Sequence, residues 1–181
     1  DLPTVSSRVK FKDVASLLER IAKIDDGPTN TRGQGKNEAK KTELESFMSS
    51  WRSLGEKMRP RVDENFFPVM RMLLPGDDRR TYGLKEVRLA KALCEALCIG
   101  VNSEDGKKLI NYRTPLHMKS SDGDFASVAY FVLKTRCPES NTLSVQEVNQ
   151  YLNVIAEQNA RGKEGQKEVN ESIKHLLVNL S

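Results

Sequence analysis

The sequence lacks the features that define several large protein classes. No part of its 181 residues approaches the run of about 20 apolar residues that spans a membrane. The three cysteines, Cys94, Cys98 and Cys137, are odd in number and include no Cys-x-x-Cys pair, so the sequence shows neither a disulfide framework nor a zinc-ligand spacing. Cys94 and Cys98 lie in an apolar helical pattern that predicts buried thiols. Free thiols without a recognisable signal peptide indicate a reducing, intracellular environment.

Signatures of catalysis are also missing. His117 and His175 are far apart in the sequence, and no G-x-S-x-G, P-loop or H-E-x-x-H motif occurs. The segment 119–123, Lys-Ser-Ser-Asp-Gly, is close to the K-x-D-G signature in which a lysine amine takes up an adenylyl group, but it has one extra residue and follows no predicted strand. We therefore predict no catalytic and no metal-binding residue, and we expect this segment to be a basic loop before a helix.

Charges of both signs are present and nearly balanced over the whole chain. The net charge of +4 is a mild basicity that permits nucleic-acid binding without requiring it. The distribution is uneven, because residues 107–136 hold six cations and two carboxylates and so carry as much net charge as the whole chain. The basic character is therefore concentrated in this stretch.

Hydrophobic residues recur with helical spacing almost throughout, and no alternating stretch is long enough to predict a strand. We predict an all-α fold in which about eight helices form a single domain over residues 1–181. The polar, glycine-containing stretch 25–37 predicts a flexible loop. The last apolar helix runs to the end of the sequence, so we expect the domain to continue beyond Ser181.

Several helix boundaries are also predicted by local signals. Gly55 is expected to end the second helix. Asp122 or Gly123 is expected to cap a helix that follows. Ser144 and Glu147 have the spacing of a capping box, which predicts the start of the next helix.

Three helix ends place cations or hydrogen-bonding groups where a phosphate could bind. At the first, Gly83 permits close backbone approach, and Lys85 adds charge to the positive end of the following helix dipole. At the second, Arg113 could bridge two phosphate oxygens. At the third, Gly123 begins a helix whose first amides could take a phosphate, although the neighbouring aspartates oppose it. Each motif is also explained as an ordinary helix cap with solvated charges.

The first two predicted helices contribute a cluster of large side chains. Phe47, Trp51 and Leu54 have helical spacing, and Asp13 is expected beside them. This spacing favours packing in the core. An aromatic-lined groove between two helices is also a suitable receptor for a short peptide.

The blocks at 82–91, 109–115 and 123–134, together with their spacing, resemble the N-terminal DNA-binding domain of eukaryotic ATP-dependent DNA ligases. The similarity is greatest to the ligase IV group within that family. The first block begins Tyr-Gly-Leu-Lys-Glu and the second begins Leu-Ile-Asn-Tyr-Arg. The resemblance covers nearly the whole chain, although the stretch 25–37 is longer and more polar than is usual in the family.

The resemblance implies a helical domain that grips duplex DNA across the minor groove without reading its sequence. The residues expected at the duplex are Gly83, Lys85, Lys91, Arg113, Lys119 and Gly123. The resemblance also implies that a short aromatic segment of the nuclease Artemis docks on the first two helices. The residues expected at that docking surface are Asp13, Phe47, Trp51 and Leu54.

For the complete enzyme, the resemblance implies ATP-dependent joining of broken DNA ends in non-homologous end joining, in the nucleus, with ATP and Mg²⁺ as cofactors. It implies a coiled-coil scaffold as partner, bound through a C-terminal region absent from this chain. The adenylated lysine also belongs to later domains, so this chain alone is expected to be inactive and to hold no cofactor. The alternative is a helical protein-interaction module whose basic loops are solvated and touch no DNA.

Overall fold

The computed structural model describes residues 3–27, 34–58, 62–113, 124–134, 136 and 142–180. Within these ranges the prediction of an all-α fold is confirmed, because β pairing is limited to two isolated bridges. A short 3-10 helix at Val5–Ser7 precedes α1 (Phe11–Asp26), α2 (Gln34–Lys57), α3 (Phe67–Leu73), α4 (Glu86–Ala96), α5 (Glu104–Ile110), α6 (Phe125–Leu133), α7 (Val145–Ala160) and α8 (Gln166–Leu180). None of these helices is long and apolar enough to cross a membrane.

The chain divides into two compact units. The first consists of Asp1–Arg79 with Thr142–Asn149, and the second of Arg80–Asn141 with Gln150–Ser181. The first unit therefore contains α1 to α3 and the first turn of α7, and the second contains α4 to α6, the rest of α7 and α8.

Trp51 of α2 is the centre of the core in the first unit, with a side chain that is 3% exposed. Its indole Nε1 donates a hydrogen bond of 3.0 Å to the carbonyl of Glu64. Its ring meets Phe66 edge-on, with the ring centres 5.2 Å apart. Valines from five other segments pack in the same cluster: Val5, Val14, Val62, Val69 and Val145. One aromatic side chain thus joins α2 to the extended segment before α3.

The polar loop predicted over 25–37 is shorter than expected. Helix α1 continues to Asp26 and α2 begins at Gln34, so both ends of the predicted loop are helical. Residues 28–33 lie outside the described residues.

Two lysines of α2 explain why helix persists at these ends. The Lys36 ammonium donates hydrogen bonds of 2.7 and 2.8 Å to the carbonyls of Asp25 and Gly27. Lys40 forms an ion pair with the carboxylate of Asp25. Cations near the last carbonyls of a helix stabilise its C-terminal end, so the first turns of α2 fasten the end of α1.

Helix α2 also continues past Gly55 to Lys57, so the prediction that Gly55 ends it is wrong. Gly55 is buried, and a Cβ at this position would lie 2.6 Å from the side chain of Glu64. A side chain at this position would therefore displace the side chain of Glu64, which is exposed.

Helix α4 is buried on two faces in the second unit. On one face, Ala90, Leu93 and Cys94 pack against residues of α5 and α6 that include Leu109 and Val132. On a second face, α4 contributes Ala92 to a cluster with residues of α7 and α8, namely Ile155, Val169 and Ile173. Small residues on both faces allow close helix contacts, which together fix the direction of α4.

The two described cysteines differ from each other. Cys94 is buried, as predicted, and burial raises the pKa of its thiol. Cys98 is exposed, so the prediction that it is buried is wrong. The reason is that α4 ends at Ala96, which leaves Cys98 in a turn with a φ of 53°. Cys137 lies outside the described residues.

The capping box predicted at the start of α7 is confirmed. The backbone amide of Ser144 donates a hydrogen bond of 2.7 Å to Oε2 of Glu147, and the amide of Glu147 donates one of 3.2 Å to the Ser144 hydroxyl oxygen. Hydrogen bonds from the amide and hydroxyl of Ser144, with a smaller contribution from the charge of Lys10, lower the pKa of Glu147 below its ordinary value of 4.5.

This capping box makes stability depend on pH. Because the pKa of Glu147 is lowered by folding, its contribution is complete above the ordinary pKa and is lost as the pH falls through the folded-state pKa. We expect the unfolding free energy of Glu147→Gln, measured by urea denaturation, to fall less than that of the wild type between about pH 5 and pH 3. Glu157→Gln, an exposed position on the same helix, should keep the wild-type pH dependence. Equal pH dependence in Glu147→Gln and wild type would contradict this account.

Candidate nucleic-acid interface

Helix α4 begins in the glycine–lysine segment that the sequence singles out. Gly83 has a φ of 57°, a left-handed conformation that favours glycine. Lys85 occupies the N-cap position, and no side chain caps the helix there. In α5 and α6, by contrast, the side chains of Ser103 and Asp124 accept hydrogen bonds from the first turn. The first amides of α4 therefore remain available to an external acceptor.

A contact within the protein explains why Gly83 has no side chain. A Cβ at this position would lie 2.0 Å from Oδ1 of Asn159, near the end of α7. The amide of that asparagine, Nδ2, donates a hydrogen bond of 3.1 Å to the carbonyl of Thr81. The segment leading into α4 is thus held against α7, while the close approach of DNA at Gly83 stays a prediction.

The fold brings Arg113 to the first turn of α4. Its Nη2 lies 3.9 Å from Oε1 of Glu86, the first residue of that helix. Its Nε donates a hydrogen bond of 2.7 Å to the Tyr112 hydroxyl, and the guanidinium carbon lies 5.4 Å from the centre of the same ring. Tyr112 is buried and packs edge-on against Phe125 at the start of α6. The position of Arg113 is therefore set by the core.

The ion pair between Arg113 and Glu86 does not commit the arginine to a protein partner. The two side chains are 72% and 49% exposed. Exposed pairs of this kind contribute about 0–1 kcal/mol to stability. A phosphate could therefore take the guanidinium at little cost, beside Lys85, which is also exposed.

Arg88 belongs to the same site, although we did not predict it from the sequence. Its Nη1 donates a hydrogen bond of 3.2 Å to the carbonyl of Gly83. The sequence spacing could have indicated it, because Arg88 follows Lys85 by three residues and residues three apart are neighbours on a helix surface. Lys91 follows Arg88 by three residues and is exposed, so the predicted Lys91 lies one turn further along the side of α4 that carries Arg88.

Lys119 and Gly123, which were predicted for the third phosphate site, lie outside the described residues. The cap of α6 is Asp124, not Asp122 or Gly123. Asp124 has the extended backbone of an N-cap, and its Oδ1 accepts a hydrogen bond of 3.0 Å from the amide of Ser127. Hydrogen bonds from the hydroxyl and amide of Ser127 lower the pKa of Asp124. A carboxylate thus already occupies the start of α6.

The first unit contains a groove of about 500 Å³ formed by α1, α2 and the residues before α1. Its lining includes all four residues predicted for a peptide site, Asp13, Phe47, Trp51 and Leu54, together with Val9, Ser16, Arg20 and Ser50. Nε of Arg20 donates a hydrogen bond of 2.7 Å to Oε2 of Glu43, which links the two helices at the groove.

Core packing is confirmed for one residue of the aromatic stripe, while peptide docking on the groove stays a prediction. Trp51 is a core residue, while Phe47 and Leu54 are half-buried and Asp13 is exposed. The core therefore supplies the floor of the groove, and the partly exposed residues supply surface that a peptide could reach.

The described residues contain no group of three or more His, Cys, Asp or Glu that could hold a metal ion.

Residues 10–181 match the family described as DNA ligase N terminus, and the chain belongs to this family. It is similar to DNA ligase 4 of Gallus gallus, with 38% identity over 167 residues or 90% of the chain, and to DNA ligase 4 of Homo sapiens, with 40% identity over 162 residues or 87% of the chain. DNA ligase 4 of the fungus Phaeosphaeria nodorum is 36% identical over 141 residues, or 72% of the chain. The matched region is 17% of the chicken and human proteins and 13% of the fungal one.

The contact between Gly83 and Asn159 makes a testable prediction about stability. Gly83→Ala combines left-handed backbone with steric overlap, whereas Gly162 has a φ of 66° and nothing within 4 Å of the position that a Cβ would take. We expect Gly162→Ala to cost about 1–2 kcal/mol of unfolding free energy and Gly83→Ala to cost more. Gly76→Ala meets neither obstacle and should change it by less than about 0.5 kcal/mol. Chemical denaturation of the three variants measures this order. Equal losses of unfolding free energy in Gly83→Ala and Gly162→Ala would contradict the steric overlap with Asn159.

Proposed function

We propose that this member of the DNA ligase N-terminus family binds duplex DNA without sequence preference, through phosphates held at the start of α4. The observation that supports this best is the convergence of Lys85, Arg88 and Arg113 on a helix start that no side chain caps. The positive end of the helix dipole and the three cations act in the same direction on an anion.

The chemistry of this site suits phosphates better than bases. A guanidinium can bridge two phosphate oxygens, while lysine offers a mobile point charge. Phosphate contacts position a protein on the duplex but carry no sequence information. A protein that must act on any broken end needs this kind of contact.

Other predicted contacts extend the proposed site. Lys91 would meet the backbone further along α4, on the side that also carries Arg88. We also propose that Lys119 and Gly123 contact the duplex, and this part of the proposal rests only on the resemblance to ligases.

For the parent protein we propose an ATP-dependent DNA ligase, requiring Mg²⁺, that acts in the nucleus on double-strand breaks by non-homologous end joining. The names of the similar proteins support the ligase part of this proposal. ATP, Mg²⁺, the nucleus and end joining rest on the resemblance to the ligase family. The chain spans 17% of the length of these relatives, and we propose that adenylation, and the binding of a coiled-coil scaffold, belong to other parts of the protein. This chain alone would then be a DNA-binding part without ligase activity.

The duplex proposal is tested by the salt dependence of binding. The logarithm of the affinity for a blunt duplex, measured by fluorescence anisotropy, should fall with the logarithm of salt concentration by about 0.9 per phosphate contact. Because Lys85→Ala with Arg113→Ala removes two contacts, we expect this slope to become shallower by about 2. Lys41→Ala, an exposed lysine of α2, is the control and should leave the slope unchanged.

The alternative, a protein-interaction module with solvated basic loops, makes the opposite prediction. A folded chain, checked by circular dichroism, that fails to bind duplex even at low salt would exclude the DNA-binding proposal. If the double variant of Lys85 and Arg113 bound duplex as strongly as the wild type, with the same salt dependence, the start of α4 would be excluded as the phosphate site.

We propose a second function for the groove of the first unit, the docking of a short aromatic peptide such as the segment of Artemis. The lining of Phe47, Trp51 and Leu54 supports this proposal, because it joins a buried ring to half-buried apolar surface. Asp13 and Arg20 also line the groove, and they are seven residues apart on α1, or about 10 Å along the helix. Arg20 is already paired with Glu43, so a peptide with a cation near Asp13 would complement the charge that has no ion pair within the described residues.

Asp13 offers a cleaner test than Trp51. Trp51→Ala would remove a core side chain at a cost of about 3–5 kcal/mol and confuse docking with folding. We expect Asp13→Asn to weaken binding of an aromatic peptide with a basic residue, measured by calorimetry. Because Asp13 is exposed and lies in the first turn of α1, the substitution should lower the unfolding free energy by no more than about 1 kcal/mol. Glu19→Gln, an exposed position on another side of α1, is the matched control. Unchanged affinity in Asp13→Asn would contradict the proposed orientation, and no peptide binding to the wild type would contradict docking itself.

A further inference from the structure

Two large aromatic side chains of α6 are exposed and have no role in the functions above. Tyr130 is 70% exposed and Phe131 is 49% exposed. The Lys134 ammonium lies 4.9 Å from the centre of the Phe131 ring and 5.8 Å from that of Tyr130. A contiguous exposed apolar patch on a protein surface commonly marks a binding site. We call these three residues the aromatic–lysine patch.

The rings of this patch are not misplaced core residues. The core face of α6 is formed by Val128, Ala129 and Val132, which are buried. Tyr130, Phe131 and Lys134 share the other face with Ala126 and Ser127, which are small and also exposed. The outer face of α6 therefore has small side chains in its first turn and exposed rings towards its end.

The chemistry of the patch suits a nucleotide. Aromatic rings stack with bases of any sequence, and a neighbouring cation attracts the phosphate between them. A ligand that offers flat rings and negative charge together therefore complements a patch in which one ammonium is held against two rings. An apolar peptide would use the rings but would have to bury or displace the charge of Lys134.

The helix that carries the patch packs, through Phe125, against the residue next to Arg113 of the proposed duplex site, on which this inference rests. Arg113 pairs with the first residue of α4, and the neighbouring Tyr112 packs against Phe125, the first residue of α6, with ring centres 5.3 Å apart. Tyr130 follows Phe125 by five residues on the same helix, or about 8 Å. We infer that Tyr130, Phe131 and Lys134 form a stacking site for unpaired nucleotides next to a duplex bound at α4.

The test compares three DNAs that share one duplex: a blunt form, a form with a single-stranded tail of about four nucleotides, and a form whose tail of equal length is abasic. Fluorescence anisotropy should show that the chain binds the tailed duplex about tenfold more tightly than the abasic-tailed duplex. The abasic tail keeps the phosphates and removes the rings, so this difference measures stacking.

Variants assign that difference to the patch. The double variant Tyr130→Ala with Phe131→Ala should lose the tenfold preference and still bind the blunt duplex, because both side chains are exposed. Tyr130→Phe keeps the ring and should keep the preference. Val101→Ala, which removes an exposed apolar side chain elsewhere in the second unit, is the control for lost surface area.

The outcomes separate this inference from the duplex proposal. Equal affinity for the tailed and abasic-tailed forms would overturn the stacking site and would be expected if the patch binds a protein. A preference that survives in the double alanine variant would also overturn it. A chain that does not bind the blunt duplex, yet binds the tail through these rings, would overturn the duplex proposal and the placement of the stacking site next to a duplex, while the stacking of unpaired nucleotides on the patch would stand.

Discussion

The packing of α4 on two faces is the constraint on which the proposed DNA site depends. Ala90 and Ala92 belong to two different hydrophobic clusters, which α4 shares with residues of α5, α6, α7 and α8, so α4 cannot turn without disturbing both clusters. The start of the helix is fixed as well, because Asn159 occupies the space that a side chain at Gly83 would fill. A helix start held this firmly can present its amides to a ligand without reorganisation, which is what makes a preorganised anion site effective.

A similar division between rigid support and exposed contacts recurs at each candidate site. Tyr112 is buried and positions an exposed Arg113. Trp51 is buried and supports a groove whose reachable surface comes from Phe47 and Leu54. In both cases an aromatic side chain with a hydrogen-bonding group is anchored in the core, so the neighbouring functional residues need little ordering when a ligand binds.

The sequence predicted the features that depend on neighbours along the chain. Helical periodicity was sufficient for the all-α fold, and the spacing of Ser144 and Glu147 was sufficient for the start of α7. The errors arose where distant residues decide the outcome. Gly55 was expected to end α2, but the helix continues to Lys57. Both ends of the stretch 25–37 were expected to be loop, but they are helical, and Lys36 binds the end of α1. The meeting of Arg113 with Glu86 is also set by tertiary packing, so the sequence could suggest two separate anion sites but not their convergence.

The most direct test of the central claim is a titration of isotopically labelled chain with blunt duplex, followed by amide chemical shifts in nuclear magnetic resonance. If phosphates bind at the uncapped start of α4, the backbone amides of Glu86 and Val87 should show some of the largest shifts, and added salt should reverse them. Duplex binding that leaves these two amides unchanged while it shifts residues elsewhere would contradict the account.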